Sequence, residues 1–140
     1  MTATIDLEQL VTTAGDAIVV ANAAGNIVLW NAAAERIFGF TAGEAMGQTL
    51  DIIIPERLRQ RHWEGYHKTM ATGQTRYGAE VLRVPAVRKD GGALSIAFTV
   101  SMLYGADGNV TGIVSIIRDD TARWDEERAL KQRVRELEGK

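Results

Sequence analysis

The spacing of hydrophobic and polar positions changes period several times along the chain, and each change marks an element. Behind Asp6, a residue suited to capping, apolar Leu7, Leu10, Val11 and Ala14 recur at helical spacing and predict a short amphipathic helix. Gly15-Asp16 breaks that pattern, and two β-rich runs, Ala17–Ala21 and Ile27–Trp30, flank Asn22–Asn26 as in a hairpin. From Asn31 the period is helical again, with Ala34, Ile37 and Phe38 on one side and Gly39 as the stop. Thr41-Ala-Gly-Glu44 is a capping-box pattern that starts a second short helix ending at Gly47. Two very short helices in succession suggest a chain wrapping around a pocket. Pro55 halts Asp51–Ile54, and from Glu56 to Thr72 a polar, helix-compatible stretch places Leu58, His62, Tyr66 and Thr69 or Met70 on one side.

The second half is β-rich. Ala79–Val84 and Leu94–Met102 enclose the turn Arg88–Gly92, and Ala106–Asn109 leads into Val110–Ile117, which together predict a three-stranded antiparallel meander. With the first hairpin this makes five strands, the helices being inserted between the second and third. Beyond Asp120 the chain is charged and helical, with Leu130, Val134 and Leu137 at the 4–3 spacing of two coiled-coil heptads. The expected class is α+β, divided into an N-terminal flanking helix (1–14), a core domain (15–119) and a C-terminal helix (120–140).

Composition narrows the functions. At 140 residues the chain suits one core and one ligand cavity. A net charge of −2 supplies no field to hold a polyanion, so a nucleic-acid partner is not expected. The absence of cysteine removes disulfides, thiolate metal sites and thiol nucleophiles, so redox chemistry would need a bound cofactor. No window approaches the roughly 20 apolar residues of a membrane span, and Met1–Asp6 lacks a leader pattern, so the expected location is cytoplasmic. Gly25, Gly39, Gly47 and Gly91 sit singly at turns, and Ser95, Ser101 and Ser115 lie in strand patterns without an elbow motif. A non-enzymatic module is therefore expected.

The order of elements, with Ile27–Phe40, Gly43-Glu-Ala-Met-Gly47, Arg88-Lys-Asp-Gly91, Gly112 and Arg118-Asp-Asp-Thr121, resembles the PAS family over roughly residues 8–123. The resemblance implies a twisted five-stranded antiparallel sheet with helices on one face. It also implies a cavity between them, lined by apolar positions such as Ile37, Phe38, Ile53, Leu58, Met70, Leu82 and Ile116. Further implications are a homodimer formed through flanking helices and a downstream effector such as a histidine kinase.

Ile54–Trp63 is similar to the matching stretch of the haem-binding PAS domains of FixL-type oxygen sensor kinases, and the match runs without a gap from Pro55 to Gly91. His62 falls at the position of their proximal haem ligand, and a neutral imidazole projecting from a helix into an apolar cavity suits a five-coordinate iron. Two positions depart from the pattern. Leu82 stands where the family has a distal arginine, with Arg83 one place along and therefore on the opposite strand face, and bulky Trp63 follows His62. An apolar distal side favours carbon monoxide or redox sensing over stable oxygenation, unless Arg83 or Arg76 turns inward.

His67 lies off the His62 stripe and is expected to be exposed. Non-covalent flavin, near Trp30 or Trp63, ranks behind haem, and a light-driven cysteinyl adduct is excluded by the missing cysteine. Asp120-Thr121 matches the family junction through which pocket changes enter the exit helix, and either residue is also an ordinary N-cap for a helix over 122–138. The alternative to a ligand sensor is a ligand-free PAS domain used for protein–protein contact and dimerisation.

Overall fold

Residues 4–74 and 80–139 are described by the computed structural model of the chain. Asp6 caps α1 (Leu7–Thr13) by accepting from the Gln9 amide at 3.0 Å. β1 (Ala17–Asn22) and β2 (Ile27–Trp30) form the first hairpin, and the Asn22 side chain closes its turn by accepting from the amides of Ala24 and Asn26. α2 (Ala32–Phe38) ends at Gly39, whose φ of 83° is left-handed and suited to glycine. Thr41 and Glu44 complete a capping box at α3 (Ala42–Ala45). Two 3-10 turns, Leu50–Ile53 and Glu56–Leu58, then lead into α4 (Arg59–Thr72). The chain finishes with β3 (Leu82–Val87), β4 (Ala93–Tyr104), β5 (Val110–Asp119) and α5 (Thr121–Glu138).

All pairings are antiparallel, in the order β2-β1-β5-β4-β3. Because side chains alternate along a strand, register assigns faces. Leu82, Phe98, Ile117 and Ala17 form one cross-strand row, and Met102, Ile113 and Ala21 form another two steps along, both on the face that packs under the helices. Phe38, Ile27 and Val19 are the largest side chains fully withdrawn from solvent. Trp30 contacts Phe38 and Phe40 and donates its indole N–H to the Phe40 carbonyl at 3.0 Å, so it is a packing residue of this core.

Three expectations require correction. Ile116 does not face the interior. It pairs with Ile18 and Thr99 on the outer face and is 43% exposed, while Ile117 is buried. Arg118 beyond it is exposed, and a period of two then turns Ile117 inward and Ile116 outward. The third strand runs Leu82–Val87 rather than over 79–84. It includes Pro85, which an edge strand tolerates because one side of its ladder is unpaired; Ala79 lies outside the described residues. The exit helix begins at Thr121, and neither Asp120 nor Thr121 caps it with a side chain in the usual way.

Asn31 joins these layers. Its side-chain oxygen accepts from the amides of Ile18 (2.9 Å) and Ala34 (3.0 Å), and its amide nitrogen donates to the carbonyls of Val11 (2.9 Å) and Asp16 (3.1 Å). One buried side chain thus uses all of its principal hydrogen-bonding directions. Asn31→Ala would leave four backbone groups short of a partner, each costing about 1–3 kcal/mol where water cannot replace it. A loss of about 3 kcal/mol or more in urea unfolding is expected. A loss under about 1 kcal/mol would mean that Asn31 is only an ordinary helix cap.

Candidate functional site

α4 is mostly polar and buries one residue fully, Tyr66. Its inward stripe is Leu58, His62, Tyr66 and Met70, one residue per turn, as the spacing predicts. Tyr66 donates its hydroxyl to the Asn22 carbonyl, and burial pushes its phenol up to about 12, so it stays protonated. The Trp63 indole N–H donates to the Asp51 carboxylate at 2.7 Å. The edge of the same indole's six-membered ring lies against Gly25, where a Cβ would stand 2.4 Å from two of its ring carbons. Trp63 thus reaches the hairpin turn while also packing against the cluster of Ala21, Tyr66 and Ile113.

His62 is half-buried, with Trp63 edge-on at 4.7 Å between ring centroids and Tyr66 tilted at 5.8 Å. Its Nδ1 is fully buried and has no hydrogen-bond partner among the described residues. Burial holds the imidazole below its ordinary value of 6.5, while the nearby Asp51 carboxylate pulls the other way. A neutral imidazole is the form of histidine that could ligate a metal-bearing cofactor. His67 is exposed and stacks on Trp63 at 6.0 Å, on the outside of the helix. No group of three or more His, Asp or Glu side chains among the described residues is placed to hold a free metal ion.

The other sequence candidates fall into two packed clusters. Ile37, Phe38 and Ile53 join Ile117, Ala86, Leu94 and Ile96 in one, and Met70 packs with Tyr66, Ile113 and Ala21 in the other. Leu50 touches both. Phe98 packs with the first and Val100 with the second, so the seam between them crosses β4 at consecutive inward positions. Leu82 is half-buried beside that seam, opposite Phe98, and Leu58 is half-buried at the head of α4. Ile117, Phe98, Val100 and Leu50 were missed by sequence reasoning. The charged Arg118 was the available signal for Ile117, since a charge marks the outward parity. Two surface hollows, one along Arg128, Gln132, Arg135 and Glu136 and one along Gly39, Arg88, Lys89 and Asp90, lie away from His62.

At the exit, the β4–β5 ladder continues into α5. The Ser95 carbonyl accepts from the Asp120 amide at 2.8 Å, and the Ser95 amide donates to the Thr121 hydroxyl at 3.0 Å. The Asp119 carboxylate accepts from the Thr121 amide at 3.0 Å. Asp120 instead binds Arg123 at 2.8 Å and sits 3.6 Å from Arg83 of β3. The Arg123 hydrogen bond is the main reason its carboxyl lies below the usual range. Arg83 therefore faces outward, committed to the exit junction; Arg76 lies outside the described residues.

Among the described residues, an antiparallel five-stranded sheet with helices packed across one face defines an α+β architecture. The family model described as the PAS fold matches residues 5–119, and the chain belongs to that family. It is 32% identical over 133 residues to the sensor protein FixL of Bradyrhizobium diazoefficiens, covering 94% of this chain and 26% of the relative. It is 28% identical over 119 residues to the oxygen sensor protein DosP of Escherichia coli, covering 85% of this chain and 14% of that one. The chain thus spans about a quarter or less of the curated relatives it matches. The crystal structure of a PAS domain from Colwellia psychrerythraea superposes with a TM-score of 0.72 at 22% identity, over 83% of this chain and 95% of that one.

The buried imidazole carries a pH signature. Because burial lowers its affinity for a proton, the folded chain stays neutral at His62 over a range in which the unfolded chain is already protonated. The unfolded state then binds more protons, so stability rises with pH across that range and falls on acidification below about 6.5. The lowered carboxyls of Glu44, Asp107 and Asp120 act at more acidic pH, below their ordinary values of 4.5 and 3.8. Thermal unfolding at pH 7.5 and 5.5 should show the drop in wild type and a smaller one in His62→Phe. Equal drops would place the imidazole in solvent.

Proposed function

We propose that this PAS domain is a sensory module that binds a small ligand in the seam between its two core clusters, with haem the leading candidate. In this reading His62 is the iron ligand, and Ile37, Phe38, Ile53, Leu58, Met70 and Leu82 contribute apolar walls. The observation that carries it is the half-buried His62 with a fully buried, unpartnered Nδ1 on the inward face of α4. Relatedness to FixL and to an oxygen sensor supports the same reading. A haem held there would supply an iron centre responsive to gases or redox state. The chain's own part would be to present one neutral imidazole and to exclude water with its apolar walls, Leu82 among them. Non-covalent flavin is the weaker candidate, since Trp30 is committed to the core and Trp63 to the hairpin turn.

We assign 1–14 as a flanking helix, 15–119 as the sensor and 120–140 as the output helix, with Asp120 and Thr121 passing the signal. No helix among the described residues is long and apolar enough to cross a membrane. We place the module in the cytoplasm, upstream of an effector such as a histidine kinase. Purified protein mixed with hemin should give a Soret band of coordinated haem, lost in His62→Ala and kept in His67→Ala. A normal spectrum from the His62→Ala protein would remove the assignment.

A second reading, assembly, is favoured by apolar side chains left in solvent. Leu7 and Leu10 on α1 are 69% and 58% exposed, and Leu130, Val134 and Leu137 on α5 are 59%, 51% and 61% exposed. Two such helices are marginal alone and gain by packing together in a homodimer. Light scattering across a concentration series should give a dimer for wild type and a weakened one for Leu130→Asp/Val134→Asp, with the sheet still folded. A monomeric wild type, or a double variant that stays fully dimeric, contradicts it.

A further inference from the structure

The contacts around α4 leave one question of chemistry, which is how an imidazole on a weakly packed polar helix keeps a fixed direction. A histidine turns about two side-chain bonds, and a ligand site needs that rotation stopped by neighbours that are themselves fixed. Here His62 meets two rings of its own helix, Trp63 and Tyr66. Each ring is tied to a different part of the chain. Tyr66 is held by the Asn22 carbonyl at the end of β1. Trp63 is held by the Asp51 carboxylate in the 3-10 turn and is pressed against Gly25 of the hairpin turn. Asp51 is itself placed by Arg59, whose guanidinium donates to the Asp51 carbonyl at 3.2 Å and to the Ile54 carbonyl at 3.1 Å.

We infer that Asp51 and Trp63 are positioning residues for His62, the carboxylate fixing the indole and the indole fixing the imidazole plane. This rests on the reading of His62 as the point of ligand attachment and deepens it. It also gives the bulky residue after His62 a role. Gly25 is part of the device, because any side chain there would meet the indole at 2.4 Å and push it from Asp51. A bare packing role for Trp63 would need only its ring and not its N–H. The 2.7 Å bond to a carboxylate is therefore the distinguishing feature.

The test uses the whole chain without cofactor and then with hemin. In the wild type, proton NMR of the His62 ring should show through-space contacts to the Trp63 indole and one set of lines. Asp51→Ala should lose those contacts and weaken hemin binding by about tenfold or more, while Asp51→Asn, which keeps an acceptor oxygen, should restore both. Trp63→Phe keeps an aromatic ring beside His62 but no N–H and should resemble Asp51→Ala, which guards against one variant failing to fold. Unchanged ring contacts in Asp51→Ala, or Asp51→Asn as damaging as Asp51→Ala, would overturn the inference. If wild type does not take up hemin, the haem reading fails, and the ring contacts alone still decide whether Asp51 and Trp63 position His62.

Discussion

The buried side chain of Asn31 is the constraint on which the rest of the fold depends. It is bonded at once to the end of α1, the approach to β1, β1 itself and the first turn of α2. A partly satisfied buried amide destabilises, so these four segments are held in one arrangement or the network fails as a unit. That arrangement directs Ile37 and Phe38 onto the sheet and makes the first core cluster. α1, with no fully buried residue of its own, is placed by this network and by the Arg36 bond to the Gly15 carbonyl more than by hydrophobic packing.

A second constraint acts at α4. Little apolar surface holds this helix, and its setting depends on polar anchors at both neighbours, Asn22 and Asp51. The candidate site and the exit junction meet in the same strands. Leu82 and Arg83 are consecutive on β3, one turned to the seam and the other to Asp120, and Ser95 on β4 carries the head of α5. In the proposed function a ligand that displaces β3 or β4 would change the Asp120 and Thr121 contacts without needing any longer route. The Arg83 and Arg123 pairs are exposed enough that each is worth little alone, and the Ser95 contacts are the firmer part of the coupling.

Much of the fold was legible because its boundaries are set by local chemistry. Asp6, Asn31, Thr41 with Glu44, and the glycine at 39 each satisfy or end a helix through their own backbone neighbours, and such signals survive in sequence. The inward stripe of α4 was legible for the same reason, since His62 and Tyr66 are one turn apart. What was not legible depends on partners distant in sequence. The run Val110–Ile117 shows no clear parity within itself, so charged Arg118 beyond it is its one local signal, and register against β1 and β4 fixes Ile116 outward. The anchoring of Trp63 joins residues 12 positions apart with a turn of the first hairpin, and no spacing rule reports that. Thr121 looked like a cap, but its hydroxyl serves the open end of the β4 ladder instead.

The central claim is that the inward face of α4 is the ligand site and that its occupancy is felt at the head of α5. Amide hydrogen exchange of the whole chain, with and without hemin, tests both halves together. The account predicts slower exchange through Arg59–Thr72 on hemin addition, a change in rate at Asp120–Trp124, and neither effect in the His62→Ala protein. Protection confined to the outer surface of α5, or the same protection with His62 removed, would contradict it.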